Sequence, residues 1–89
     1  MSKGSDIWHV YMVRCSDGTL YAGITNDLKK RIEAHNSGKD GARYTRSRRP
    51  VNLVYSEQVE SKSAAAKLEY QIKKLPRSKK KRLVSNFEL

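Results

Sequence analysis

The pattern of apolar residues along this chain predicts an α/β domain of the α+β kind, a small, mainly antiparallel three-stranded sheet flanked by helices in the order β-β-α-β-α-α. Three observations carry that expectation. Segments 7–13 and 20–25 are rich in β-branched and aromatic residues and flank the turn signal Ser16-Asp17-Gly18, which is the pattern of a hairpin. Segment 51–57 alternates apolar and polar residues, as a half-buried strand does. Between and after these segments the apolar residues recur at helical spacing instead.

The first strand, Ile7 to Val13, is apolar on both faces, so both faces are expected to be covered. Its register with Leu20 to Thr25 depends on the turn. A two-residue Asp-Gly loop pairs Arg14 with Tyr21 and puts Tyr11 and Tyr21 on opposite faces. A three-residue loop with a left-handed Gly18 pairs Val13 with Tyr21, and the two tyrosines then share a face. The turn residues permit either. Asn26 or Asp27 can cap a helix reaching to about Asn36, stopped by Ser37-Gly38. At 100° per residue, Leu28, Arg31, Ile32 and His35 fall on one side of it. A stripe holding an arginine and a histidine is not a plain core face. Residues 39–50 form a basic loop. In the third strand Val51, Leu53 and Tyr55 are expected on one face. Ser61 or Ser63 opens the second helix, whose buried stripe is Ala65, Leu68, Ile72 and Leu75, with Glu69 at its border, about 80° from the centre. Pro76 starts a third helix, Arg77 to Val84. One domain over 1–89 is expected, with a core of about 7–76 and a basic C-terminal helix at 77–84.

Nineteen Lys and Arg against nine acids give a formal charge of +10 in 89 residues. Such a field draws polyanions, and nucleic acid is the leading one, because each phosphate neutralised releases counterions. No long apolar run or basic amphipathic N-terminus points to a membrane. Cys15 is the sole cysteine, which excludes an internal disulfide or a cysteine-based zinc site and leaves a small apolar filler. The first six residues lack the apolar segment of a signal peptide, so a cytoplasmic location is expected. Two basic segments suit phosphate contacts. One is the loop carrying Arg43, Tyr44, Arg46, Arg48 and Arg49. The other is the run from Lys73 to Arg82, with seven Lys or Arg and no acid, which on a helix beside a cleft can follow a nucleic-acid backbone.

Five side chains stand out as chemistry. Tyr11 and Tyr21 lie on adjacent strands, Arg31 and His35 are four apart on one helix face, and Glu69 borders the later helix. Phosphodiester hydrolysis needs a cation for developing charge, a base for water and a donor that grips phosphate. One carboxylate can anchor Mg²⁺, which keeps several waters and borrows substrate oxygens. Arginine has the planar fork that fits phosphate. Tyrosine, near pKa 10, is a poor base unless positive charge from Arg31, a metal or His35 lowers it. Glu69 also stands four residues before Lys73, the spacing of a plain helical ion pair.

His9-Val10-Tyr11, followed ten residues after its tyrosine by Tyr21-Ala22-Gly23, resembles the two halves of the GIY-YIG motif. Arg31, His35 and Glu69 follow at the places where that nuclease superfamily carries its helix residues and its metal-binding glutamate. The resemblance spans about residues 7–76 and is closest to the small stand-alone GIY-YIG proteins, sharing the runs 16–25 and 39–50. His9, Val10 and Ala22 depart from the motif at backbone-spacing positions, and Ile24 stands where excision-repair relatives carry a lysine. The resemblance implies a metal-dependent endonuclease acting on structured or single-stranded DNA, ahead of RNA, with little sequence preference. A catalytically idle nucleic-acid-binding module is the alternative, and a partner protein could supply specificity. By the same resemblance Tyr11 or Tyr21 activates water, Tyr11 first. Arg31 grips the phosphate, His35 assists proton transfer, Glu69 holds Mg²⁺ or Mn²⁺, and Gly23 allows close approach beside the site. Lys73 joins the basic loop as a nucleic-acid contact.

Overall fold

A computed structural model describes residues 7–37 and 48–88. The elements are β1 (Trp8–Arg14), β2 (Leu20–Thr25), α1 (Leu28–Ser37), β3 (Asn52–Val59), α2 (Lys62–Lys73) and α3 (Arg77–Glu88). The predicted order therefore stands, and both strand pairings are antiparallel in a sheet ordered β2-β1-β3. β1 lies at the centre, which explains why it is apolar on both faces.

The hairpin adopts the longer turn. Gly18 has φ 85°, a backbone conformation that favours glycine. The Cys15 amide donates to the Thr19 carbonyl at 2.8 Å and Gly18 to Cys15 at 2.9 Å. Val13 consequently faces Tyr21 and Tyr11 faces Gly23, so both tyrosines project to one side of the sheet. That side is covered by α1. Its N-terminus is capped by Asp27, whose carboxylate accepts from the Lys30 amide at 3.1 Å. Leu28 and Ile32 pack with Tyr11, Val13, Cys15, Val51 and Leu53. At the other end, the Asn36 side chain accepts from the Val51 amide at 2.7 Å and donates to the Val51 carbonyl at 3.1 Å. This two-way bond ties the end of α1 to the entry of β3.

The opposite side of the sheet carries α2 and α3. Ser61 caps α2 by accepting from the Ala64 amide at 3.0 Å. Ala65, Leu68 and Ile72 then pack on Val10, Met12 and Ala22, together with Leu83 and Val84 of α3. Full burial of an aliphatic side chain of this size contributes about 1.5–3 kcal/mol, and most of the chain's purely apolar contact lies here.

Two boundaries differ from expectation. Met12 faces Tyr55 while Val13 faces Leu53, so Val54 is one residue extra in β3. Such a bulge resets the in-out alternation. Tyr55 therefore leaves the face shared by Val51 and Leu53 and joins Val54 beneath the α2–α3 layer. The third helix also runs to Glu88 rather than Val84. Phe87 meets Tyr55 edge-on at 5.8 Å and gives the last turn something to pack against. Val84 of this helix is buried in the core beside Ala65 and Ile72.

Candidate active site

Tyr11 is at the centre of the α1 side and only 1% exposed. Its ring lies across the backbone of Gly23: a Cβ added there would sit 2.5 Å from the phenol oxygen. The glycine is thus required by close approach rather than by backbone twist. His35, on the inner face of α1 and also 1% exposed, places Nε2 at 2.9 Å from that oxygen. Arg31, one turn earlier, donates from Nε to the same oxygen at 3.3 Å. Arginine can only donate, so the phenol accepts from Arg31. Whether the phenol or the imidazole donates in the Tyr11–His35 bond is set by the imidazole tautomer. Tyr21 completes the group, its ring edge-on to His35 at 5.6 Å.

The electrostatics follow from this crowding. Burial raises the Tyr11 phenol above its ordinary 10. The hydrogen bond and charge of Arg31 oppose that, and the nearby Tyr21 and Glu69 add to it. Burial, then the charge of Arg31, holds His35 below its ordinary 6.5. Of the positive groups of the protein expected to make Tyr11 a base, Arg31 acts in that sense, but desolvation outweighs it, and a neutral His35 supplies no charge.

Glu69 comes from α2, on the other side of the sheet. α2 packs along β2, an edge strand, and Glu69 lies close enough for its charge to be felt at Tyr11. Its side chain is 23% exposed and paired with Lys73 at 3.3 Å, so the helical ion pair that its spacing allowed is formed. The Lys73 ammonium also stands 5.9 Å from the centre of the Tyr21 ring. Among the described residues no group of three or more His, Cys, Asp or Glu could enclose a metal. A lone, half-buried carboxylate fits a cation that retains water and takes further oxygens from a substrate, which describes Mg²⁺ and Mn²⁺ better than Zn²⁺.

Of the residues singled out from the sequence, Arg31 and His35 contact Tyr11 and Tyr21 contacts His35, while Glu69 is linked to them through its charge at Tyr11 and through Lys73, which stands on the Tyr21 ring. The basic loop is less fully seen. Arg43, Tyr44 and Arg46 lie outside the described residues. Arg48 pairs through Nε with Asp17 at 3.0 Å, and its carbonyl accepts from the Ser16 amide at 2.9 Å, so it fastens the incoming chain to the hairpin turn. Arg49 is exposed beside it. Two supporting residues were not singled out from the sequence, Asn36 and Asp17. Asparagine at a helix end and aspartate in a turn are ordinary locally, and only their distant partners give them meaning. Among the described residues no helix is long and apolar enough to cross a membrane.

Comparison with known proteins agrees with this arrangement. Residues 7–82 match the GIY-YIG catalytic domain. A UPF0213 protein of Desulfotalea psychrophila is 56% identical over 81 residues, covering 91% of this chain and 74% of that one. A UPF0213 protein of Staphylococcus aureus is 54% identical over 79 residues, covering 89% and 95%. Among solved structures, a UPF0213 protein of Bacillus halodurans is 46% identical with a TM-score of 0.57, covering 89% of this chain and 83% of that one. A protein of E. faecalis is 39% identical with a TM-score of 0.61, covering 92% and 86%. A family match over most of the chain, with relatives at these identities, leaves one assignment: the chain belongs to the GIY-YIG nuclease family, among its small single-domain UPF0213 members.

Proposed function

We propose that this protein is a divalent-metal-dependent endonuclease that cuts phosphodiester bonds in structured or single-stranded DNA with little sequence preference. The observation that carries the reading is the Tyr11 hydroxyl, set between a guanidinium at 3.3 Å and a neutral imidazole at 2.9 Å. A phenol held above its ordinary pKa does not act as a preformed tyrosinate at neutral pH. It can act as a relay. Tyr11 takes a proton from the attacking water as its own proton passes to His35 Nε2. The water oxygen forms the new bond to phosphorus, the opposite P–O bond breaks, and the leaving oxygen takes a proton from solvent. The Arg31 guanidinium, beside the phenol, holds a phosphate oxygen. Glu69 is the residue that would hold Mg²⁺ or Mn²⁺, which supplies charge neutralisation at the phosphate when bound.

The test is a cleavage panel of hairpin, flap, single-stranded and duplex DNA and RNA, each with Mg²⁺ or Mn²⁺ and with chelator. Nicking is expected only with metal. Glu69→Gln should lower it on the order of a thousandfold, since a metal supplies several kcal/mol of transition-state stabilisation. Tyr11→Phe should lower it about a hundredfold or more. Cutting that persists unchanged in both variants rejects the site. The second reading, an idle nucleic-acid-binding module, has one observation in its favour: Lys73 already stands on Glu69. It requires salt-sensitive binding, no cutting of any substrate with either metal, and affinity unaffected by Glu69→Gln.

A further inference from the structure

An open groove of about 440 Å³ lies between the hairpin turn and α3 and plays no part in the chemistry above. Leu20 and Val84 line it with apolar surface, while Arg14, Arg77, Lys80 and Lys81 bring cationic groups to it. Among the described residues no carboxylate lines it, and Asp17 in the adjoining turn is neutralised by Arg48 at 3.0 Å. Arg77, Lys80 and Lys81 fall at helical i, i+3 and i+4 positions and so share one face of α3. Lys79 and Arg82 are exposed but do not line the groove. A second hollow, of about 260 Å³, shares Leu20 and Lys80 with the first and adds Tyr21 and Lys73. Lys73 in turn contacts Glu69 at 3.3 Å. A series of cations therefore leads from the carboxylate of the candidate active site, past the edge strand β2, to the first half of α3.

We propose that this groove binds the sugar-phosphate backbone of a nucleic-acid strand, holding the stretch of strand next to the bond being cut. The inference rests on the nuclease reading for the identity of the strand, and on the groove alone for the binding. A row of separated cations suits a chain of phosphates better than one free anion, and an apolar floor can take a sugar or base between them. A lipid surface is a poorer fit. Of the apolar residues of α3, Val84 is in the core, Leu83 packs against it, and Phe87, 45% exposed, rests on Tyr55, so the helix offers one half-exposed ring rather than a continuous apolar face for insertion. The seven basic residues from Lys73 to Arg82 are then unequal, and position on the helix, not charge, decides which of them bind.

Two charge-matched double variants test this, with a fluorescein-labelled single-stranded oligonucleotide titrated in chelator across a range of salt. Lys80→Gln/Lys81→Gln removes groove cations, and Lys79→Gln/Arg82→Gln removes the same charge from the same helix outside the groove. The groove pair should weaken binding about tenfold and reduce the salt slope by about 1.4, two phosphate contacts at about 0.7 each. The control pair should change the slope by less than half of that. Amide resonances of Gly18 and Ser85 in the wild-type protein should shift on oligonucleotide addition. Equal losses from both pairs, or unmoved Gly18 and Ser85 resonances, overturn the groove in favour of a diffuse field. Anionic vesicles that displace the oligonucleotide from the groove pair's positions also overturn it. Because cleavage is not read, an inactive enzyme leaves this test intact, and a failed groove leaves the nuclease reading standing.

Discussion

The two faces of the sheet are built on opposite plans. Under α2 and α3 lie Val10, Met12, Ala22, Val54, Ala65, Ile72 and Val84, side chains that only exclude water. On the α1 side, next to Val13, Cys15 and Val51, equally buried space is given to Tyr11 and His35, with Arg31 beside them. Burying such groups is costly unless each finds a partner, and here they find one another. A domain of 89 residues can place polar groups so deep on one side because the other side is almost wholly apolar. The division of labour makes a prediction: damage to one face should unfold the protein, and damage to the other should stop its chemistry.

The largest effect should come from the apolar face. Ile72→Ala is expected to destabilise the fold by about 3 kcal/mol, the middle of the range for such truncations, measured by urea denaturation. Nicking per folded molecule should not change. A matching loss of activity at low temperature, where the variant is folded, would break the contrast between faces. Next is Gly23→Ala, which drives a methyl into the Tyr11 phenol. It should lower stability by about 2 kcal/mol through overpacking, and activity should fall together with that of Tyr11→Phe. Full activity in Gly23→Ala would show that the position of the phenol is not critical.

A smaller effect concerns pH. His35 is held below 6.5 in the folded state. As pH falls through 6.5 the unfolded chain takes up a proton before the folded one does. Stability should therefore decline from there and level off once the folded-state value is passed. His35→Gln should remove this part of the decline in thermal melts run from pH 8 to pH 5. A wild-type profile identical to that of the variant would mean the histidine is not kept neutral by its surroundings. Smallest of all is Lys73→Met. The ion pair with Glu69 is exposed on the lysine side, and such pairs are worth about 0.2–1 kcal/mol. Removing the ammonium should tighten Mn²⁺ binding severalfold, read by paramagnetic resonance without nucleic acid. Unchanged or weaker binding would show that Lys73 does not compete for the carboxylate.

Much of this was legible in one dimension. Gly18 after Ser-Asp, Ser61 before an apolar helix and Pro76 before a second one are local signals, because turns and caps depend on neighbouring backbone groups. The identities of Tyr11, Tyr21, Arg31, His35 and Glu69 came from spacing along the chain. Other features carried no such mark. Nothing near Val54 announces a bulge, since an extra residue shows itself only against the strand it pairs with. Asn36 resembles any helix-end asparagine until Val51 arrives from beyond the loop.

By itself, then, the order of residues determined the elements, the excess of positive charge and the candidate site residues. Tertiary structure decided which of two hairpin registers formed, and so whether two tyrosines would meet one histidine. It also set the direction in which the Tyr11 phenol shifts, above its ordinary pKa. The charge of Arg31 is written in the sequence, but the desolvation that outweighs it exists only once β1, β2 and α1 have closed over the ring. Registers of similar local energy, and pKa values set by opposing forces, are resolved by contacts between distant segments, which no local pattern contains.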